Sequence, residues 1–176
     1  AGRLGYRFLD SGALYRALTL KALSEGLAPS DEDALAELAD RTNIVLQAGS
    51  ETRVVLDGED VSQAIRGPCV TNAVPTVASL PRVRAAMFRI QREFAADCRT
   101  SGVGVVAEGR DIGTVVFPGA RWKFFLDANP AVRAGRRAKE RGDRDVAAVE
   151  RSIRERDKMD TERHAAPLRA AEDAIV

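Results

Sequence analysis

The chain has 176 residues, 27 of them basic and 26 acidic, so a net charge of +1 gives no overall field that would draw it to nucleic acid. A hydrophobic fraction of 45% suits a globular chain with one substantial core, and no apolar run is long enough to cross a membrane or to act as a signal peptide. Cys69 and Cys98 show no metal-ligand spacing, as expected of two reduced thiols in a cytoplasmic protein. Of the basic residues 23 are arginine and 4 are lysine. A GC-rich genome produces that bias without functional meaning, so position must decide which arginines grip anions.

In chain order, Ala1 to Gly5 reads as the end of a helix closed by glycine, which predicts that the sequence begins inside a structural unit. Tyr6 to Leu9 reads as a short strand, Asp10-Ser11-Gly12 as a turn, and Ala13 to Ser24 as a helix closed by Gly26. Asp31 to Asp40 is a second helix. Asn43 to Gln47 and Arg53 to Asp57 are two strands joined around Gly49-Ser50. Pro81 opens a helix that runs to about Phe94. Gly104 to Glu108 and Lys123 to Asp127 are apolar strands ending in an acid, and Asn129-Pro130 caps and starts a helix followed by a charged stretch to Arg163. Ala174 to Val176 reads as a strand cut short. Apolar strands separated by helices imply an α/β fold with a parallel sheet covered by helices; the hairpin-like stretch from 27 to 80 breaks that alternation and reads as an insertion.

The groups able to do chemistry cluster in a few places. Glu108-Gly109-Arg110-Asp111 follows a buried strand directly, and in a parallel sheet the ligand crevice lies at the carboxyl ends of the strands. Arg16, early in the first long helix, falls under the same logic. Arg84 stands in the first turn after Pro81. Arg156, Asp160 and Arg163 are spaced i, i+4 and i+7, which places them on one helical face. The spacing fits a salt-bridge ladder, or a face where arginines bind phosphate and Asp160 accepts from ribose hydroxyls. Arg133, Arg136 and Arg137 also share a face. The stretch from Arg133 to Arg163 carries eleven basic and eight acidic residues with few large apolar ones, which fits an exposed surface helix or a mobile flap over a phosphoryl-transfer site. His164, the one histidine, has no partner acid or nucleophile in a recognisable motif and reads as a surface residue.

Six segments then carry a resemblance: Leu9 to Arg16 (LDSGALYR), Gly58 to Ser62 (GEDVS), Leu80 to Arg84 (LPRVR), Glu108 to Pro118 (EGRDIGTVVFP), Lys123 to Ala128 (KFFLDA), and Arg156 to Arg163 (RDKMDTER) with Ala166-Pro167-Leu168 after it. In this order, across nearly the whole chain, they resemble the bacterial cytidylate kinase family, a branch of the nucleoside monophosphate kinases. The resemblance implies a P-loop kinase-like α/β core (1–26, 100–132 and 156–176), an inserted monophosphate-binding domain (27–99) and a helical lid (133–155). It implies transfer of the γ-phosphoryl group of ATP, bound with Mg²⁺, to CMP or dCMP in pyrimidine nucleotide metabolism. The enzyme is expected to be a cytoplasmic monomer without nucleic-acid or membrane partners and without metal ligands of its own. Arg16, Arg110 and Arg163 are implied to hold the substrate phosphate, Arg156 and Asp160 the ribose, and Arg84 and Asp111 the cytosine edge. Ser11 is implied as a further substrate contact. Arg136 and Arg137 are implied to face the ATP phosphates, and Arg110, Arg137 and Arg163 to act in catalysis.

Two departures stand out. A serine of the family's insertion that helps bind the base is replaced by Pro75, which has neither hydroxyl nor N–H, so the contact is lost or passes to Thr76 or water. The glycine-rich phosphate loop, G-x-x-x-x-G-K-S/T, does not occur in the sequence; in the family it would lie just before Ala1. The expectation is therefore a partial record of a longer, active kinase. A kinase of broader monophosphate specificity and an inactive nucleotide-binding relative are the alternatives.

Overall fold

The computed structural model describes residues 1–47, 52–142, 144–163 and 165–176. The chain forms two compact units, Ala1–Ile112 and Gly113–Val176. The predicted joint at Gly49-Ser50, and His164, lie outside the described residues.

The first unit opens with a 3-10 turn, Gly2–Leu4, closed by Gly5 in the left-handed region at φ 65°. Strand β1 (Arg7–Asp10) pairs in parallel with β5 (Val105–Glu108), in a register that sets Arg7 beside Val105 and Asp10 beside Glu108. The expected turn at Asp10-Ser11-Gly12 is absent: helix α1 (Ser11–Ser24) begins at the residue after the strand. The reason is local. The Asp10 side chain accepts from the Ala13 N–H at 2.9 Å, so the strand's last residue is also the helix cap. Leu9, Leu14 and Leu18 are fully buried and anchor the junction.

Between these paired strands, after α1, the described residues add three α-helices and a small sheet. Helix α2 (Glu32–Arg41) is capped by Asp31 and buries Leu35 and Leu38. Strands β2 (Ile44–Gln47), β3 (Arg53–Leu56) and β4 (Glu59–Asp60) form an antiparallel sheet in that order. Helix α3 (Pro68–Ser79) has no counterpart among the predicted elements, and Pro75 lies inside it. Its apolar Val70, Val74 and Val77 are spaced i, i+4 and i+7 and are buried, which outweighs the hydrogen bond that an interior proline removes. Helix α4 (Pro81–Thr100) runs six residues past the expected end at Phe94, because Cys98 extends the buried face that Val83, Met87 and Gln91 begin. Helices α2 and α4 pack together, as do α1 and α3.

The second unit is more sparsely packed. A π-helical turn spans Ile112–Val116. The strand expected at Lys123 to Asp127 shrinks to one parallel bridge between Phe124 and Ile175, with the Phe125 N–H donating to the Ile175 carbonyl at 2.8 Å. Trp122, Phe124 and Leu126 are exposed, so alternation alone did not secure a ladder there. Asn129 caps α5 (Pro130–Arg141), with proline at the first helical position as predicted. Gly142 ends that helix at φ 71°, and Asp145 caps α6 (Val146–Glu162). The two helices pack through Ala134, Ala138 and Ile153.

Candidate functional site

In the first unit the groups gather at the carboxyl ends of β1 and β5, where Asp10 and Glu108 stand side by side and Gly109-Arg110-Asp111 follows. Gly109 is required there by space: a Cβ on it would stand 3.0 Å from the Ser11 Cβ and 2.9 Å from Ile112 Cγ1. The turn thus lies against the first residue of α1, and Ser11 is itself buried.

Arg84 and Asp111, 27 residues apart in sequence, meet as a buried ion pair; 2% of Arg84 and 5% of Asp111 remain exposed. The guanidinium is further held by the Ala78 carbonyl at 3.0 Å and lies over the rings of Phe88 and Tyr15, 5.2 and 5.9 Å from their centroids. Its buried Nε has no hydrogen-bond partner among the described residues. A buried charge pair is retained only with such added contacts, because desolvation otherwise outweighs the Coulomb attraction.

Arg16 projects from α1 towards the insertion. Its Nη1 donates to the Ile65 carbonyl at 2.9 Å and to Thr71 Oγ1 at 3.0 Å. Arg110 is half-buried beside Asp111 in the chain. Sequence reasoning passed over the groups that hold these arginines. Phe88, four residues after Arg84 on α4, was detectable as an i+4 aromatic partner; Tyr15, Ile65 and Thr71 gave no local signal.

In the second unit the spacing of Arg156, Asp160 and Arg163 is only partly helical. Helix α6 ends at Glu162, and Arg163 is its cap residue with extended backbone (φ −64°, ψ 139°), so Arg163 leaves the face shared by the other two. Its guanidinium instead turns back: Nη1 meets Asp160 Oδ1 at 3.2 Å and Nε donates to the Ala166 carbonyl at 2.7 Å. Asp160 is fixed from the other side, since its carbonyl accepts from the Leu168 N–H at 2.8 Å.

The three α5 arginines also separate. Arg133 bonds Asp157 of α6 at 2.5 Å and the Ala128 carbonyl at 2.9 Å, and the Asp157 carboxylate raises its already high pKa. It therefore ties the two helices together. Arg136 is exposed and Arg137 half-buried.

Each unit thus carries arginines set against carboxylates, and the first unit's set stands where a parallel sheet presents its ligand crevice. A parallel strand pair with charged groups at its carboxyl ends places the chain among α/β proteins. Comparison with known proteins narrows the class. The cytidylate kinase family model matches residues 1–176. The chain is 49% identical over 181 residues to the cytidylate kinase of Vibrio cholerae serotype O1, covering 100% of this chain and 78% of that protein. It is 48% identical to the cytidylate kinase of Desulforamulus reducens, covering 100% of this chain and 79% of the relative. With that of Pelotomaculum thermopropionicum the identity is 46%, over 98% of this chain and 77% of the relative. The chain belongs to the cytidylate kinase family, a family of phosphotransferases.

Proposed function

We propose that this chain transfers the γ-phosphoryl group of ATP to CMP or dCMP, yielding ADP and CDP or dCDP. The observation that carries the reading is the buried Arg84–Asp111 pair after a parallel strand, in a chain that matches the cytidylate kinase family from end to end. Cytosine presents an amino donor beside ring-nitrogen and carbonyl acceptors. A carboxylate accepts from the amine while a guanidinium donates to the acceptors, so Asp111 and Arg84 suit that edge. The unpartnered Nε of Arg84 supports this role, since it is a buried donor still in need of an acceptor.

Arg16, Arg110 and Arg163 bind the monophosphate and Ser11 adds a contact; Arg156 and Asp160 take the ribose hydroxyls. Arg136 and Arg137 meet the phosphates of ATP. Phosphoryl transfer asks for little covalent chemistry from the protein, and positioned positive charge on the transferring group supplies most of the catalysis. Arg110, Arg137 and Arg163 carry that role. Mg²⁺ enters the reaction as part of the ATP substrate, held chiefly by its phosphates. The working division is a core (1–26, 100–132 and 156–176), a monophosphate-binding insertion (27–99) and a lid (133–155). The enzyme acts as a monomer in the cytoplasm, as the family resemblance implies.

An ADP-release assay with CMP, dCMP, UMP and AMP tests the reading. CMP and dCMP should be turned over best, and AMP turnover far above CMP would refute it. Pro75 favours one second reading, a broader pyrimidine specificity. It lies inside α3 without a hydroxyl to offer, and UMP turnover equal to that with CMP would support that version.

A further inference from the structure

The insertion reaches Arg16 of α1 through a backbone carbonyl and a side-chain hydroxyl. Arg16 Nη1 serves two acceptors, the Ile65 carbonyl at 2.9 Å and Thr71 Oγ1 at 3.0 Å. The Thr71 hydroxyl donates in turn to the Arg66 carbonyl at 3.4 Å, so its proton points away from Arg16 and a lone pair faces the guanidinium. Ile65 and Arg66 belong to the 3-10 turn Ala64–Arg66, and the Thr71 N–H is itself held by the Gly67 carbonyl at 3.0 Å. The elbow between that turn and α3 is therefore a fixed bracket, with Ile65 fully buried at its centre.

A guanidinium is planar and carries its donors in a rigid fork, so two acceptors on one terminal nitrogen set the orientation of the whole group. The Ile65 contact comes from backbone and is present whatever the side chain. The Thr71 contact depends on residue type. Pro75 adds to the same turn of helix, because it has no N–H to return to the Thr71 carbonyl four residues earlier.

We propose that Thr71 is a positioning residue of the monophosphate site, orienting Arg16 for the substrate phosphate. Through Thr71 the insertion sets how well CMP is held, apart from its contacts with the base. The inference rests on Arg16 being a phosphate-binding residue, as proposed above.

The test compares Thr71→Val, Thr71→Ser, Arg16→Ala and the double variant Thr71→Val/Arg16→Ala, reading KM for CMP and kcat separately, with thermal melting as a check on folding. Valine keeps the shape and removes the hydroxyl. For T71V the KM for CMP should rise about 5-fold while kcat stays within about 2-fold, the scale of one ordinary hydrogen bond, since Thr71 acts through Arg16 and does not touch CMP itself. T71S should return KM close to that of the parent, and T71V should add nothing in the R16A background. A merely structural role would give a lower melting temperature with no selective change in KM. The idea is overturned if T71V leaves KM unchanged, if T71S fails to restore it, or if T71V retains its full effect without Arg16. In those cases a large rise in KM for R16A alone leaves the phosphate reading standing. An unchanged KM in R16A removes both the phosphate role and this inference. Should T71V fold poorly, Thr71→Ala gives the same comparison without the branched side chain.

Discussion

Both compact units set arginines against carboxylates, but in different surroundings. In Ala1–Ile112, Arg84 and Arg16 are set on helices whose other faces are closed by buried Leu14, Leu18, Val83 and Met87. In Gly113–Val176, the fully packed apolar side chains among the described residues are Val116, Ala134, Ala138 and Ile153, two of them alanines. There Arg133 and Asp157 pair while partly exposed to solvent, and Arg163 and Asp160 pair with less exposure. Apolar packing in the interior is insensitive to salt and hard to open, whereas partly exposed ion pairs are weak and screened. The arginines of the first unit are thus the more firmly set.

Replacing Arg84 by alanine should have the largest effect. It removes the guanidinium paired with buried Asp111, so stability should fall by about 3–5 kcal/mol in denaturant titration. CMP affinity should also weaken by about 1–3 kcal/mol in calorimetry. A stability loss near zero would mean that the first unit's grip is not a desolvated pair, and the contrast would lose its main support.

Next comes Arg137→Ala in α5. It should lower kcat about 100-fold, the scale of one lost transition-state charge contact, with CMP affinity little changed. Equal losses in both would place Arg137 in ground-state binding instead.

Ile153→Ala sharpens the comparison through packing. Buried isoleucine truncations cost about 2–5 kcal/mol in a tight core. In α6, with small alanines opposite, thermal unfolding should report a value at or below the low end of that range. A loss as large as that of Leu18→Ala would show that the second unit is packed as well as the first.

The smallest effect concerns Asp57. Lys21 donates to its carboxylate at 2.6 Å and the Asn43 N–H donates at 3.0 Å; these two bonds, the Lys21 bond foremost, hold its pKa below the ordinary value. A carboxylate lowered in the folded state adds stability above its unfolded pKa, about 3.9, and loses it as pH falls through the folded value. Asp57→Asn, which tolerates the backbone at φ 48°, should therefore cost less than about 1 kcal/mol at pH 7 for so exposed a pair. The difference from the parent should shrink as pH falls through the folded value. A gap that persists at low pH would assign the effect to the turn instead of the charge.

Much of the frame was legible because it is written locally. Asn129-Pro130 announces α5, Asp31 precedes α2, and the apolar runs before Asp10 and Glu108 become β1 and β5. Helix α3 was hidden because Pro75 and three valines argue against a helix, and only burial reverses that preference. The segment Lys123 to Asp127 shows the opposite case: strand-like composition yielding one bridge. For the site, Gly109-Arg110-Asp111 was legible from its place after a strand. The pairing of Asp111 with Arg84, the turning back of Arg163 onto Asp160, and the Thr71 bracket all depend on contacts that local spacing does not encode.

The direct passage of β1 into α1 bears on how the chain can be altered. With no connecting residue at the Asp10–Ser11 junction, the pairing of β1 with β5 also fixes the rotation of the helix that carries Arg16. One added residue there would turn every α1 side chain by about 100° about the helix axis and carry Arg16 away from Ile65 and Thr71. Length at this point is as constrained as residue identity, and insertion scanning should find it among the least forgiving positions in the chain.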